Sequence, residues 1–599
     1  MPKTIPFVQY VFSRLQQLNC HSIHGVPGDF FLRALDHTRP ALPSGPRWIG
    51  NASELCAGYA ADGYARAATQ IARQRGIDFS PTVGALFTTY GVGELSAINA
   101  VAGSYAESIP VVHLVGTPSR QAMLSGNSRR PIHHSLGDGR MDLWAEMAKN
   151  ITCAQAWLHA QRSATAAAEV FDDVLEQAVA FSQPVYASFP SDLIDAEVPA
   201  DMLHKALSLE PPSNHVATED ELIEALILAM QSAESPLIIA DSLSYPLQLA
   251  KEISELVQLT SISAMSYMSG KGIVEESHPS WDPALPNTTE ASQNADLVIY
   301  FGPLLADTNT ARWSAIPSAS KNWYFDMEDV QCTVGNFNTR YEVRSKEVLG
   351  KLVKRLKDLP VEQRTETSGK KPKLSGKNPK LSGNDEKSSY SRQASGRKIT
   401  QDEFWPTVSS ALRPHDTILL ANGTPLIGGR ALKLQPNSTV IASSIWCSIG
   451  HMLPAAQGVA AAKADHGLPG RTILFEGDGS FQVTCQSISD IIRNQLDVTI
   501  FLINNKGYTY ERWLNGMEAD YNDVPAWRYA DAGKFFGGSE AYMTSARIKT
   551  FAELLGVIEQ EKNSDGQGLR IYEVLMDPAD VPEKSRAGLL KASEALRSS

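Results

Sequence analysis

Cysteine is scarce in this chain and long apolar runs are missing, and each shortage removes a class of protein from consideration. Six cysteines are spread singly over 599 residues, at Cys20, Cys56, Cys153, Cys332, Cys447 and Cys485, with no CxxC pair among them. That spacing excludes a disulfide framework and reads as the reduced thiols of a cytoplasmic protein. No apolar run approaches the length of a membrane span. At the N-terminus, Phe7, Val8, Val11, Phe12, Leu15 and Leu18 recur at helical spacing, so the segment lacks the continuous apolar core of a signal peptide. The final LRSS matches no common retention or peroxisomal address. Positive charge is in deficit too: 54 Lys and Arg stand against 66 Asp and Glu, a net charge of -12, which argues against nucleic acid or an anionic membrane as a main partner.

What is present is a long alternation of short, β-branched apolar runs with helix-like segments, the pattern of an α/β protein. VVHLVG (111–116) and PVYASFP (184–190) are the clearest strands of a first domain over 1–190. SPLIIAD (235–241), ADLVIYFG (295–302) and NWYFDM (322–327) mark a second domain over 200–355. Between 361 and 398 the composition turns to Lys, Ser and Gly with a tandem SGKKPKL, SGKNPKL, which predicts a disordered basic linker. A third α/β domain follows over 399–580, and a charged, helix-like tail over 581–599 closes the chain.

Within that third domain, RTILF (471–475) runs into Gly477-Asp478-Gly479-Ser480, and VTIFLI (498–503) runs into Asn504-Asn505. Both polar turns therefore fall at the C-terminal ends of buried parallel strands, where α/β sheets bind ligands. Together they can hold a diphosphate and its Mg²⁺. Asp478 offers a carboxylate, Asn505 an amide oxygen and Gly507 a backbone carbonyl, leaving the remaining octahedral positions to phosphate oxygens and water. Gly479 and Ser480 let the chain approach the phosphates closely. Gly137-Asp138-Gly139 has the same triplet, but follows no apolar strand and has no Asn-Asn partner.

This order of strand, Gly-Asp-Gly, helix, strand and Asn-Asn resembles the thiamine diphosphate (ThDP) enzymes. A second segment extends the resemblance. In NASELCAGYAADGYAR (51–66), Glu54 opens a small-residue stretch suited to a closely packed helix. The resemblance implies that Glu54 meets the aminopyrimidine N1′ and promotes formation of the nucleophilic ylide. Gly25 to Phe30 (GVPGDF), Ile132 to Gly137 (IHHSLG) and Asn504 to Glu511 (NNKGYTYE) resemble the pyruvate decarboxylase branch of that family. They place Asp29, His133, His134 and Glu511 in the reaction chamber. Acetohydroxyacid synthases share the diphosphate motif but lack this combination.

The resemblance covers nearly the whole chain outside the linker, and it implies a fold of three doubly wound parallel-sheet domains: pyrimidine-binding, central and diphosphate-binding. It implies non-oxidative decarboxylation of a 2-oxo acid, pyruvate by default, to an aldehyde and CO2 through a ThDP ylide and enamine. Carboligation to an acyloin and decarboxylation of a larger or aromatic 2-oxo acid use the same residues, and a catalytically weak ThDP-binding scaffold is a third reading. Thr424, Cys447, Ser448, Ile449, Tyr508, Thr509 and Tyr510 fall at cofactor-binding positions: Thr424 at the diphosphate, the Cys447 carbonyl at the 4′-amino group, and Ile449 as the wedge between the two rings. Cys447 stands where glycine is usual. Leu426 and Tyr510 border the substrate pocket and set its size. ADSLSY (240–245) lacks the cysteine linked to substrate activation in yeast enzymes. Because Glu54 and Asp478 lie in different domains, which in the family come from different subunits, the expected active unit is a homodimer or a homotetramer.

Overall fold

A parallel strand buried on both faces has no solvent side to leave polar, and the near-continuous apolar runs of this sequence become the inner strands of three sheets. The computed structural model describes residues 3–39, 45–74, 82–209, 214–282, 289–360 and 396–598. Besides a two-stranded antiparallel pair, Thr4–Pro6 with Glu197–Pro199, these form three sheets of six strands each. The first is wholly parallel, in the spatial order Arg47–Gly50, Ser22–Gly25, Gly84–Thr89, Val111–Thr117, Val185–Pro190 and Ala154–Trp157. The last is also wholly parallel: Thr439–Ala442, Thr417–Leu420, Thr472–Gly477, Val498–Asn504, Leu569–Leu575 and Met543–Ile548. Read by chain position, the two orders are the same. In both, the strand order reverses beside the strand that comes first in the chain, and the loops at that reversal carry the candidate residues.

The central sheet departs from a fully parallel arrangement. Ser263–Ser266, Pro236–Ala240, Leu297–Phe301 and Lys321–Phe325 are parallel, but Val330–Val334 and Phe337–Tyr341 follow as antiparallel strands. The turns after Phe325 and Val334 are too short to carry a crossover, so the chain can only double back. The basic linker expected over 361–398 lies outside the described residues up to 395. At the other end, the expected tail is a helix, Glu583–Ser598, docked by Ser593 Oγ donating to Leu514 O at 2.8 Å. No helix among the described residues is long and apolar enough to cross a membrane, and the six cysteines are free.

The first and last sheets are brought together by two helices, Glu54–Gln74 and Met452–His466. Where they touch, the residues are small: Ala60 and Gly63 on one, Ala455 and Gly458 on the other. A Cβ on Gly63 would lie 2.3 Å from Ala455 O, and one on Gly458 only 1.9 Å from Ala60 O, so the backbones themselves touch. Tyr64 and Ala67 of the first helix and Ile49 beside it belong to the same core as Leu453, Val459 and Leu474. The obstacle at Gly458 is backbone, which cannot swing aside. Gly458→Ala is therefore expected to lower stability by about 1–3 kcal/mol, read as the midpoint of denaturant unfolding. An unchanged midpoint would show that the helices do not cross this closely.

Candidate active site

The functional loops sit where the strands end. In the first domain the strand Ser22–Gly25 leads into Asp29, which opens a short 3₁₀ turn, Asp29–Phe31. Asp29 Oδ2 lies 2.9 Å from His133 Nε2, and one ligand atom each of Asp29, His133 and His134 fall within 4.8 Å of one another. Phe30 stacks on the His133 ring at 4.8 Å and 11°, and meets His134 edge-on. His134 takes a left-handed backbone, φ 67°, which is unfavourable for a bulky side chain and fixes where its ring points. Both Asp29 and His133 are more than half exposed, so this cluster faces open space rather than core.

Glu54 is half-buried at the first position of its helix, directly after the strand Arg47–Gly50. Its Oε1 lies beside Gly93: a Cβ there would approach it to 3.1 Å. Gly93 is in the first turn of the helix Val92–Ala106, so the carboxylate rests near a positive helix end.

The third domain builds a different kind of site. Asp478 is 1% exposed; its Oδ1 accepts from Gly479 N at 2.8 Å and its Oδ2 from Gly507 N at 3.0 Å. Burial pushes its carboxyl up to about 6 against those donors. With the Asn505 amide oxygen turned toward Asp478, that oxygen stands 2.9 Å from Gly507 O and 3.3 Å from Asp478 Oδ1. In that orientation the acceptor oxygens have no proton among them and make a donor set that suits a cation. Adjacent ligands of an octahedral ion with bonds of ~2.1 Å are separated by about 3.0 Å, and the triad matches that edge. Turned the other way, the amide nitrogen donates to both oxygens and closes the gap. Gly507 has φ 128° and a Cβ there would strike Asn522 O at 2.1 Å, so only glycine can present this carbonyl. Thr424 Oγ1 is 3.5 Å from the Asn505 nitrogen, and Thr509 Oγ1 donates to Pro578 O. Gly479 leaves room for Tyr508, whose ring a Cβ would meet at 2.5 Å. Leu426 leans on the core of this domain rather than only on a pocket.

The segment Ser443–Gly450 is held from three sides. Glu107 Oε1 accepts from Ser443 Oγ at 2.7 Å and from the backbone N–H groups of Ser444, Ile445 and Trp446 at 3.0–3.3 Å. Its Oε2 accepts from Arg66, which also pairs with Asp62, and Asp62 faces His451. Burial alone would raise the Glu107 carboxyl, but Arg66 and these donors outweigh it and hold it below its usual range. From the central domain, Thr308 Oγ1 donates to Ser444 O at 2.5 Å. Ser480 Oγ accepts from Gly450 N and Thr484 Oγ1 donates to Gly450 O, so Ser480 locks this segment. Tyr59 donates to Ser448 Oγ at 2.7 Å. Cys447 has φ 51° and its thiol is pushed up to about 11 by burial and Glu107, so it stays protonated at neutral pH. Ile449 is 39% exposed, which is incompatible with an ordinary core position and leaves it projecting from the loop.

Family models of the thiamine pyrophosphate enzymes match three stretches of the chain: the N-terminal TPP binding domain at residues 6–139, the central domain at 223–332 and the C-terminal TPP binding domain at 423–569. The chain is 36% identical to pyruvate decarboxylase of Aspergillus parasiticus, covering 97% of this chain and 96% of that one. It is 32% identical to pyruvate decarboxylase of Aspergillus fumigatus (97% and 95% covered) and 31% identical to pyruvate decarboxylase isozyme 1 of Saccharomyces cerevisiae (98% of each). The chain belongs to the thiamine pyrophosphate enzymes.

For a member of this family, the sequence motifs leave out the residues that hold others in place. Glu107 and His451 lie outside the quoted motifs, and Asp62 and Arg66 lie within 51–66 but were given no role there. Glu94 is another: its Oε1 accepts from Gly91 N and its Oε2 from Tyr186. Gly91, with φ 68°, has the His134 carbonyl where a Cβ would be, at 2.2 Å. The paired glycines of TTYGVGEL (88–95) were the available signal. Burial carries the Glu94 carboxyl up to about 7, with Gly91 and Tyr186 pulling the other way. The fold thus favours its protonated form. That contribution is complete below the ordinary value of 4.5 and is lost as pH rises through 7. Thermal midpoints of the wild-type protein should fall more between about pH 5 and pH 8 than those of Glu94→Gln. Parallel profiles for the two proteins would refute this.

Proposed function

We propose that the protein is a cytoplasmic, ThDP- and Mg²⁺-dependent decarboxylase that converts pyruvate to acetaldehyde and CO2. The oxygen triad of Asp478, Asn505 and Gly507 carries the cofactor part of this reading, because with the Asn505 oxygen turned toward Asp478 its spacing suits a small hard dication. Full-length similarity to pyruvate decarboxylases supports the substrate. Bound ThDP supplies a nucleophilic carbon and an electron sink for the departing carboxylate. The chain's own residues do the rest. Thr424, Gly479 and Ser480 border the diphosphate, while Tyr508 and Thr509 shape the turn around Gly507. Ser448 and the Cys447 carbonyl would face the aminopyrimidine, and Ile449, projecting from its loop, would rest against the bound cofactor. Glu54 holds a proton at the pyrimidine nitrogen. His133, His134 and Asp29 share protons over short distances and deliver one to the carbon that has lost CO2; Glu511 orients the substrate carboxylate.

These residues form two half-sites in one chain. Among the described residues no hydrogen bond or ion pair joins Asp29, Glu54, His133 or His134 to Asp478, Asn505 or Glu511. The active unit in this reading is a homodimer, alone or paired into a tetramer, in which each site takes one half from each chain.

Glu54→Gln should lower turnover at least about 100-fold while calorimetry still shows ThDP binding with Mg²⁺. Asp478→Asn should instead weaken that binding about tenfold or more. Mixed, unfolded and refolded together, the two inactive variants should recover about a quarter of wild-type activity, since half the dimers are hybrid and each hybrid has one intact site. No recovery on mixing would mean that a single chain supplies the whole site.

A further inference from the structure

Trp144 lies half-buried in the first turn of the short helix Leu143–Ala148, and its indole Nε1 donates to His134 O at 3.2 Å. Among the described residues no other donor meets that carbonyl. The carbonyl belongs to a strained turn. Ser135 N and Ser135 Oγ both donate to Ile132 O, at 3.3 and 2.7 Å, which makes His134, with φ 67°, the third of four turn residues. Glycine or asparagine ordinarily fills a left-handed third position, because a larger side chain crowds its own backbone there. Histidine persists in it only where the surroundings over-determine it.

Those surroundings are rigid. Tyr90 Oη donates to Met141 O at 2.8 Å just ahead of the helix, and Trp144, Phe30 and Ile132 pack against a small core of Tyr90, Met123 and Met141. Beside Tyr90, Gly91 presents bare backbone: a Cβ there would lie 2.2 Å from His134 O and 3.1 Å from the indole nitrogen. Glu94 Oε1 fixes this glycine by accepting from its N–H at 2.8 Å. The His134 carbonyl is thus caught between a backbone wall and one N–H donor. Phe30 carries the same core to the face of the His133 ring and the edge of the His134 ring, so one cluster backs both imidazoles.

We propose that Trp144 is a positioning residue for the decarboxylation. Its N–H holds the His134 peptide in the left-handed state and so aims the imidazole at the space shared with Asp29 and His133. Trp144 acts through His134 and meets no reacting atom. This rests on the reading above, in which His133, His134 and Asp29 move the proton. The hydrogen bond, rather than the bulk of the indole, carries the effect, which separates positioning from packing.

The test uses the Mg²⁺- and ThDP-loaded enzyme. Trp144→Phe keeps an aromatic ring, and β-(3-benzothienyl)alanine at position 144 keeps the whole shape with sulfur in place of the N–H. Both changes should lower kcat for pyruvate about tenfold. KM and the calorimetric affinity for ThDP should stay within about twofold of wild type. His134→Ala and the double variant His134→Ala, Trp144→Phe should share one kcat, since a missing ring cannot be mis-aimed. Carbethoxylation of His134 by diethyl pyrocarbonate, followed by peptide mass spectrometry, is a readout free of turnover. Its rate should change severalfold in both position-144 variants, while that of the exposed His204 stays constant. Wild-type kcat in the benzothienyl protein, an additive loss in the double variant, or an unchanged labelling rate at His134 would overturn the proposal. Full activity of His134→Ala would instead defeat the assigned proton path, and the labelling rate would still decide whether Trp144 aims His134.

Discussion

A carboxylate taken out of water has to be matched by donors from whatever surrounds it, and Glu107 draws those donors from well-separated parts of the chain. Arg66 comes from the helix headed by Glu54, and the Ser443 hydroxyl and three successive backbone N–H groups come from the other cofactor domain. Removing such a charge from water carries a penalty of several kcal/mol, so the arrangement persists only while every donor is in place. The segment that ends in Ile449 and Gly450 is thereby fixed by the same contact that unites the domains. Thr308 and Ser269 of the central domain close on Ser444 from the remaining side. The position of Ile449 is a consequence of domain packing and cannot be adjusted without it.

The first and last sheets use one topology twice for unlike purposes. In each, the loops beyond the strand ends at the order reversal are free of sheet hydrogen bonding and available for chemistry. One copy presents titratable groups, Asp29, His133, His134 and Glu54, on a surface that is open in a single chain. The other presents oxygens and glycines at Asp478, Asn505 and Gly507, which in the proposed reading meet an ion and a diphosphate that need close backbone approach. Proton transfer and ion binding call for different dielectric surroundings, and dividing them between two domains allows both. Meeting at one coenzyme then becomes a question of assembly.

Much of the fold was legible because buried parallel strands have a strong local signature: RTILF, VTIFLI and SPLIIAD became strands within a residue or two of their apolar limits. Asp478, Asn505 and Gly507 were legible as a group because they fall within one short stretch, and the structure brings their polar groups together. The rest failed for physical reasons. Val330–Val334 and Phe337–Tyr341 lie at a sheet edge, where polar and charged residues such as Gln331 and Arg340 blur the alternation. Glu107 sits in an unremarkable SYAES, and its partner Ser443 is 336 positions away.

The crossing of the helices Glu54–Gln74 and Met452–His466 has a geometric consequence. Where bulky side chains interdigitate, neighbouring helices can slip by a rotamer change; where carbonyls rest directly on glycine Cα atoms, as at Gly63 and Gly458, there is nothing soft to yield. The spacing between Glu54 at one helix end and the Asp478 turn across the junction is thus held like the jaws of a fixed gauge. In the proposed dimer, a second copy seated against one half-site is in register with the other, so two chambers are calibrated in a single docking event.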